Sequence, residues 1–542
     1  MKKLLLFLTA LFLLGEANAF DVSKNGEVIF KAMQDEMART MKDLKTKGMA
    51  KPYYAAYKVS AGDSFAVGAF MGEKYVENES KGDISISVML RAGDKKTDSS
   101  FFENTVISTA ESQLPSMSYE SIRRALWLQT DNAYKQALDQ YTKKLAYLKK
   151  KQVKQENPDF STAEISSDVY SPEFPPFDKD YLISLAEEMS KQGDVKSLKK
   201  FSVFAAAGQR AVFFLSSEGA KYVKDDSTLT ITLRAEADTP EGFPIEASKS
   251  LSYKNQDELP SKEELIKTAK DFSEEMQAAV LSPKGEAFIG PVLLEDQAAA
   301  YLFANLFANN ITNTKKTLSL NNDKDYNMGE FALKKGLKVM PFDFNVVDDP
   351  EAETFKGKKL AGFYKVDDEG VRPSKLQIVK DGKLTELPAT RSSGKTNGHA
   401  RLGLFENKLY AKAMPSNLFF LPQKTLPKEE LKTRLMQDCL KENLDYCYII
   451  RRFDGGNITA YKVDAKTGEE TLTHGFEMPV LSTRALRDIT AAGDDLTLTN
   501  YYSSRQPSYA LVAPSVILSE MELKPSQVEN KKPPKLEKPQ AD

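Results

Sequence analysis

Histidine, cysteine and tryptophan are nearly absent from this chain, with two, two and one in 542 residues. Only His399 and His474, far apart in sequence, could serve a histidine-built zinc site or a histidine-based catalytic constellation. Neither sign of charge dominates. The 75 basic and 77 acidic side chains leave a net charge of −2 and a pI near 6.1, so the basic footprint of a nucleic-acid binder is missing. No Gly-x-Ser-x-Gly elbow, phosphate loop or dinucleotide fingerprint occurs. What is present is a hydrophobic fraction of 41%, ample for packed cores, in a length that predicts about two to four domains.

The first nineteen residues read as a secretory signal peptide. Lys2 and Lys3 precede an apolar run from Leu4 to Leu14, and Ala17-Asn18-Ala19 precedes Phe20. That run falls short of the roughly twenty residues a membrane span needs, and no later stretch reaches that length. The expected destination is therefore the periplasm, or the exterior of a cell with a single membrane, with no membrane span after leader removal. Export permits disulfides. Even so, Leu431, Leu435 and Cys439 recur at helical spacing, and Cys447 sits in the strand-like run Tyr446-Cys447-Tyr448-Ile449-Ile450. This pattern favours two buried free thiols over a Cys439–Cys447 bridge.

Periodicity outlines an α+β chain. Helices are expected over 26–47, with Phe30, Met33, Met37, Met41 and Leu44 on one stripe, and over 118–151, with Ile122, Leu126, Ala133, Ala137, Tyr141, Leu145 and Leu148 inward. The Lys149-Lys150-Lys151 run reads as a solvated helix end. Strands are expected at 53–59, 65–76, 84–88, 201–206, 211–216 and 229–233. A polar, proline-bearing connection covers 152–178, and a short helix follows near 178–191. Ser261 and Glu264 form a capping box for a helix that ends at Pro283-Lys284-Gly285. The Asp381-Gly382 pair predicts a tight hairpin, and one more helix is expected near 427–443. The domains predicted are 20–285, a mixed α/β region, and 286–525, followed by a charged, proline-rich, disordered tail over 526–542.

Gly290-Pro291-Val292-Leu293-Leu294-Glu295-Asp296-Gln297-Ala298-Ala299-Ala300-Tyr301 passes from a strand-like run into an alanine-rich helix. Downstream lie Val346-Val347-Asp348-Asp349-Pro350, Val366-Asp367-Asp368-Glu369-Gly370-Val371 and Thr396-Asn397-Gly398-His399-Ala400-Arg401. In this order the segments resemble the TldD/PmbA family of metallopeptidase-related proteins, most strongly over 286–520. The Arg124–Leu128 and Tyr134–Leu138 stretches are similar to exported members. The resemblance implies a C-terminal domain of curved, barrel-like antiparallel sheet and homo- or heterodimers. In the family's catalytic branch, a His-Glu-x-x-x-His motif supplies zinc ligands and a general base, with a downstream cysteine as a further ligand. Laid on that motif, Glu295 falls at the first histidine, Asp296 at the glutamate and Ala300 at the second histidine, and 500–510 has no thiol.

The peptidase chemistry therefore does not carry over, and no cofactor is expected. The remaining pattern resembles the PmbA-like branch, whose members partner a metal-bearing TldD-like chain. The candidate binding residues are Glu295, Asp296 and His399, with Asp296 at the general-base position and no metal ligand assigned. Asp348, Asp349, Asp367, Asp368 and Glu369 could offer oxygen ligands to calcium or magnesium, but short acidic side chains of this kind more often bond backbone amides in turns. His399 reads as structural or surface. The function expected is a peptide-binding or scaffold subunit, a pseudoenzyme whose ligand is an extended or unfolded polypeptide. One alternative is an active metallopeptidase using a non-standard metal site or one completed by a partner, in which case zinc is the metal expected. The other is a cell-envelope assembly protein with no peptide ligand.

Overall fold

The computed structural model describes residues 22–528 except 104, 156, 168–173, 194–196, 321–327, 406–407, 454–456 and 504. The leader over 1–19 and all but 526–528 of the expected tail lie outside the described residues.

Helix α1 (Val22–Asp43) precedes strands β1 (Pro52–Phe70), β2 (Glu73–Ala92) and β3 (Ser108–Leu114). Next come α2 (Tyr119–Lys151), α3 (Lys179–Ser190), β4 (Lys200–Ser216), β5 (Lys221–Asp225), β6 (Thr228–Asp238), β7 (Pro244–Tyr253) and α4 (Lys262–Leu281). The strands form one antiparallel sheet in the order β3-β2-β1-β4-β6-β7, with β5 paired to β4. Odd-numbered residues of β1 face the helices. Tyr57 and Val59 meet Ile29 and Met33 of α1 and Ile122 and Leu126 of α2, while Phe65 and Val67 pack with Leu182 and Leu185 of α3 and Phe272 of α4.

Two expected breaks are absent. Residues 53–70 form one strand, and the turn falls at Met71-Gly72, inside the stretch expected to be continuous. Met71 and Gly72 have φ of 48° and 93°, the left-handed backbone a tight hairpin needs. Likewise 201–216 is one strand, with Gly208 opposite Ser64. A side chain at nearby Gly62 would come within 1.9 Å of the Gln209 carbonyl, so glycine here permits close strand approach rather than a turn. The expected capping box of Ser261 and Glu264 forms on α4, while Ser118 and Asp178, expected only as approximate helix starts, cap α2 and α3.

The second half begins with β8 (Phe288–Leu294) and α5 (Asp296–Leu306), followed by β9 (Phe344–Asp348), β10 (Thr354–Phe355), β11 (Lys358–Lys359), β12 (Leu376–Lys380), β13 (Lys383–Leu384), β14 (Ala400–Phe405), β15 (Lys408–Ala413) and β16 (Asn417–Pro422). It continues with α6 (Lys428–Lys441), β17 (Tyr446–Ile450), β18 (Asn457–Asp464), β19 (Glu470–Glu477), β20 (Ile489–Ala492), β21 (Thr497–Tyr501), β22 (Tyr509–Ala513) and β23 (Val516–Leu523). Two six-stranded sheets result, ordered β13-β12-β9-β16-β22-β21 and β19-β18-β17-β8-β23-β20. One apolar cluster joins both sheets to α5.

The α+β class is as expected, but the C-terminal sheets are open and mixed: β8 pairs parallel with β17, and β16 with β22. The second sheet is buried on both faces. Val292, Leu294, Tyr448 and Ile450 face α5, while Leu293, Cys447 and Ile449 face Leu431, Leu435 and Cys439 of α6. That double burial explains why Val292-Leu293-Leu294 and Tyr446–Ile450 lack polar alternation. It also brings Cys439 over Cys447, and the two form a disulfide with Cα atoms 6.1 Å apart. The expectation of free thiols is corrected. A helix stripe packed on the neighbouring strand placed the two side chains within bonding reach.

Candidate functional site

Strands β8 and β17 run in parallel register with Leu294 opposite Ile450, so the residues that leave them, Glu295 and Arg451, emerge side by side. Glu295 occupies the N-cap position of α5, and its backbone N–H donates to the Ile450 carbonyl at 3.0 Å. Its carboxylate accepts from Arg451 Nε at 3.0 Å, and Arg451 Nη2 donates to Glu470 at 3.1 Å. Lys432 closes the chain of charges, 2.7 Å from Glu470. The guanidinium also lies 4.1 Å from the centroid of the Tyr461 ring. Burial opposes its charge, but the Glu295 hydrogen bond and charge hold its pKa above the ordinary value. For Glu470, burial is likewise outweighed by the Lys432 hydrogen bond and the Arg451 charge, so its pKa is lowered.

Asp296 follows with φ of 47°, a conformation in which a non-glycine residue is strained. Its half-exposed carboxylate lies 3.3 Å from Lys428 Nζ, which also approaches Asp495 at 3.5 Å. Ala300 is buried in the α5 core. The zinc site that the family motif would put here does not fit these side chains. A guanidinium engages the carboxylate at the first ligand position, an ammonium faces the general-base position, and the second ligand position has no donor atom. Among the described residues, no group of three or more His, Cys, Asp or Glu side chains is placed to hold a metal ion.

His399 is not brought to this place by any hydrogen bond or ion pair among the described residues. It is fully buried, with Nδ1 3.0 Å from the Asn397 carbonyl oxygen and Nε2 3.4 Å from Asp348 Oδ2. Asp348, at the end of β9, accepts from the Ser416 hydroxyl and from the Ser416 and Asn417 amides. Its burial excludes the surface reading of this histidine. His474 is also buried; its Nδ1 lies 3.1 Å from Ser282 Oγ, and burial lowers its pKa.

The acidic run does what the turn chemistry of short carboxylates predicts. Asp367 accepts the amides of Glu369, Val371 and Ala400 at 2.9, 2.8 and 3.1 Å. Asp368 reaches across to the N-terminal sheet, accepting from Tyr222 at 3.0 Å and Lys224 at 2.5 Å. Glu369 accepts the Arg391 amide at 2.8 Å. Burial and the neighbouring Glu369 charge push Asp367 up to about 7, and burial pushes Glu369 up as well. Asp349 pairs with Lys375 at 2.8 Å.

Sequence reasoning missed a buried ionic joint between the two halves. Lys144 of α2 is fully buried and donates to Asp159 at 2.6 Å and to the Ser100 carbonyl at 2.7 Å. Asp159 also meets Lys315 at 2.8 Å. Arg91 pairs with Asp98 at 2.9 Å, and the guanidiniums of Arg91 and Arg391 lie 4.2 and 3.7 Å from the Phe160 ring centroid. Asp159 and Phe160 belong to the stretch expected to be only a polar connection. The available signal was Lys144 itself, a charge seven residues after Ala137 on the buried face of α2; the expected stripe residue Leu145 is exposed.

Comparison with known proteins agrees with this architecture. Residues 289–524 match the PmbA/TldA metallopeptidase C-terminal domain. No curated protein sequence matches the chain. Among solved structures, a protein described as a putative modulator of a DNA gyrase from Thermotoga maritima MSB8 is similar at 15% identity with a TM-score of 0.60, covering 93% of this chain and 100% of that one. TldE from Thermococcus kodakarensis is similar at 12% identity and TM-score 0.58, covering 91% and 99%. A protein described in the same words as the first, from Bacteroides thetaiotaomicron VPI-5482, gives 12% and 0.58, covering 93% and 99%. At these identities the likeness is one of fold, while the domain match rests on sequence. By that match, residues 289–524 are a C-terminal domain of the TldD/PmbA family, and the rest of the chain shares the fold of these neighbours.

Proposed function

We propose that this chain is an exported TldD/PmbA-like subunit with a degenerate metal site, which binds extended polypeptide rather than cleaving it. The observation that carries the reading is the Glu295–Arg451 pair at 3.0 Å, where the family motif calls for a metal ligand. A catalytic metal must keep an open position for water or substrate. A guanidinium satisfies the same carboxylate but offers no such position. Peptide binding draws support from a free strand edge: β2 pairs with β3 only from Ile84 to Leu90, so Glu73–Asp83 pairs with β1 alone. An extended peptide can add to such an edge through main-chain hydrogen bonds. The leader-like N-terminus supports export, to the periplasm where two membranes exist. The family relation supports association with a second copy or with a metal-bearing TldD-like chain.

The test is metal analysis of the purified mature chain, combined with binding and cleavage of an unstructured peptide with and without chelator. We expect substoichiometric zinc, no chelator-sensitive cleavage and saturable peptide binding. Stoichiometric zinc with chelator-sensitive cleavage by the isolated chain overturns the proposal.

A further inference from the structure

The end of the C-terminal half that carries the turns over 329–343 and the β12–β13 hairpin presents large apolar side chains to solvent. Leu333, Leu337 and Phe342 are 86%, 58% and 60% exposed. They stand on a fixed backbone. Phe331, Val339 and Met340 are buried between them. The Gly336 amide donates to the Leu384 carbonyl at 2.7 Å, the Leu384 amide to the Leu337 carbonyl at 3.0 Å, and the Val339 amide to the Gly382 carbonyl at 2.8 Å. Exposed apolar groups gathered in one place mark interaction surfaces.

The charges around them are biased in a chain whose net charge is negative. Lys335, Lys338, Lys380 and Lys383 are exposed here, and Lys334 is partly so. Lys338 lies opposite Lys383 in a bridge, with its Nζ 4.1 Å from the Phe342 ring centroid. Among the described residues, the acidic side chains at this end are Glu330, which approaches Lys334 at 3.8 Å, Asp381, which accepts from Gln423 at 2.8 Å, Asp343 and the exposed Glu386, against the five lysines.

We propose that this end docks on an anionic lipid surface, with Leu333, Leu337 and Phe342 entering the acyl boundary and the lysines meeting headgroup phosphates. Apolar tips interleaved with lysines match an interface that is apolar below and anionic above. The lysine stems extend the apolar contact while their ammonium groups stay at the polar level. A second copy suits the patch less well, because an isologous contact sets lysines against lysines. Among the described residues no helix is long and apolar enough to cross a membrane, so the contact is peripheral.

Co-sedimentation of the full mature chain with phosphatidylcholine vesicles, with and without about one-third phosphatidylglycerol, tests the proposal. We expect binding to the anionic vesicles at low salt, roughly tenfold or more weaker without the anionic lipid. The Leu333→Ser, Leu337→Ser, Phe342→Ser triple variant and the Lys335→Gln, Lys338→Gln double variant should each lose most of it. Their circular dichroism and denaturation midpoints should stay unchanged, because every replaced side chain is exposed. Absence of binding to anionic vesicles, or binding undiminished in both variants, overturns the proposal. So does a concentration-dependent dimer, seen by analytical ultracentrifugation, that the triple variant abolishes; the patch would then belong to a second copy.

Discussion

Replacing Lys144 with methionine tests whether the buried ionic joint holds α2 to the rest of the molecule. Both charges of the pair are fully buried. The Asp159 carboxylate receives four donors: Lys144 at 2.6 Å, the Asp98 amide at 2.7 Å, Lys315 at 2.8 Å and Gln155 at 3.3 Å. Lys144→Met keeps the apolar stem, so the cavity left is small, but it removes one of the two cations and leaves the Ser100 carbonyl without its lysine donor. Breaking a buried pair from one side costs about 3–5 kcal/mol. Lys315 still compensates Asp159, which puts the expected loss at the lower end, about 3 kcal/mol. Adding Asp159→Asn removes the stranded charge, so the double variant should be more stable than the sum of the two single losses by about 2 kcal/mol. Lys143→Met, at an exposed i,i+4 pair with Asp139, is the matched control and should cost no more than about 0.5 kcal/mol. Urea denaturation followed by Trp127, the single tryptophan and a residue of α2, reports the parent and all four variants. A Lys144→Met variant as stable as the Lys143→Met control, or strictly additive single losses, would refute the reasoning.

The Cys439–Cys447 bridge closes a short loop, for which chain-entropy reasoning gives about 2.5 kcal/mol. Native and unfolded protein should show no titratable thiol before reduction, and reduction should lower the urea midpoint; two reactive thiols on unfolding without reductant would reinstate free cysteines. Asp367 provides a pH signature. Its folded pKa, about 7, exceeds the ordinary carboxyl value of 3.8, so the folded state binds the extra proton between those limits and loses stability from this group as pH rises through that window. Asp367→Asn should therefore be most damaging relative to the parent near pH 4 and progressively less so toward pH 8; a penalty independent of pH contradicts the shift. Arg451→Met leaves Glu295 and Glu470 facing each other without their shared cation. With Arg451 itself partly exposed, solvent screening limits the loss to about 1 kcal/mol, measurable as a lower denaturation midpoint that high salt partly restores.

Elements whose signals are local could be read from the sequence. The capping box of Ser261 and Glu264 and the Asp381-Gly382 hairpin, where both residues have positive φ, depend on chemistry within a few residues. The misreadings share one physical cause, because partners distant in the chain decided the outcome. The strands expected at 201–206 and 211–216 are one because β1 pairs along the whole stretch, and Cys439 and Cys447 looked like separate core residues until α6 packed on β17. Parallel pairing of β8 with β17 could not be inferred, because a continuous apolar run signals burial on both faces but not strand direction. The same holds at the site. The loss of histidine at 295 and 300 was legible, since it is a statement about atoms present. That Arg451 would fill the gap was not, because it follows from a register between segments more than 150 residues apart.

Arg451 also separates two roles that a metal ion would combine. At the C-terminal ends of parallel strands, Glu295 brings a carboxylate to the start of α5, where a negative charge is favoured by the helix dipole. Either a metal or a guanidinium can neutralise that carboxylate and tie β8 to β17. Only the metal can also polarise a bound water, because it has coordination positions to spare and arginine has none. A guanidinium is covalently attached and always charged, so it holds the joint without dependence on metal supply or on the protonation of histidine ligands. Under the proposed function, the Glu295–Arg451 pair ties β8 to β17 at the position where the family motif places a metal ligand. The strained Asp296 that follows, with φ of 47°, fits the same account. The turn from β8 into α5 keeps a conformation that costs energy, and the Glu295–Arg451–Glu470 and Asp296–Lys428–Asp495 contacts on either side hold it there.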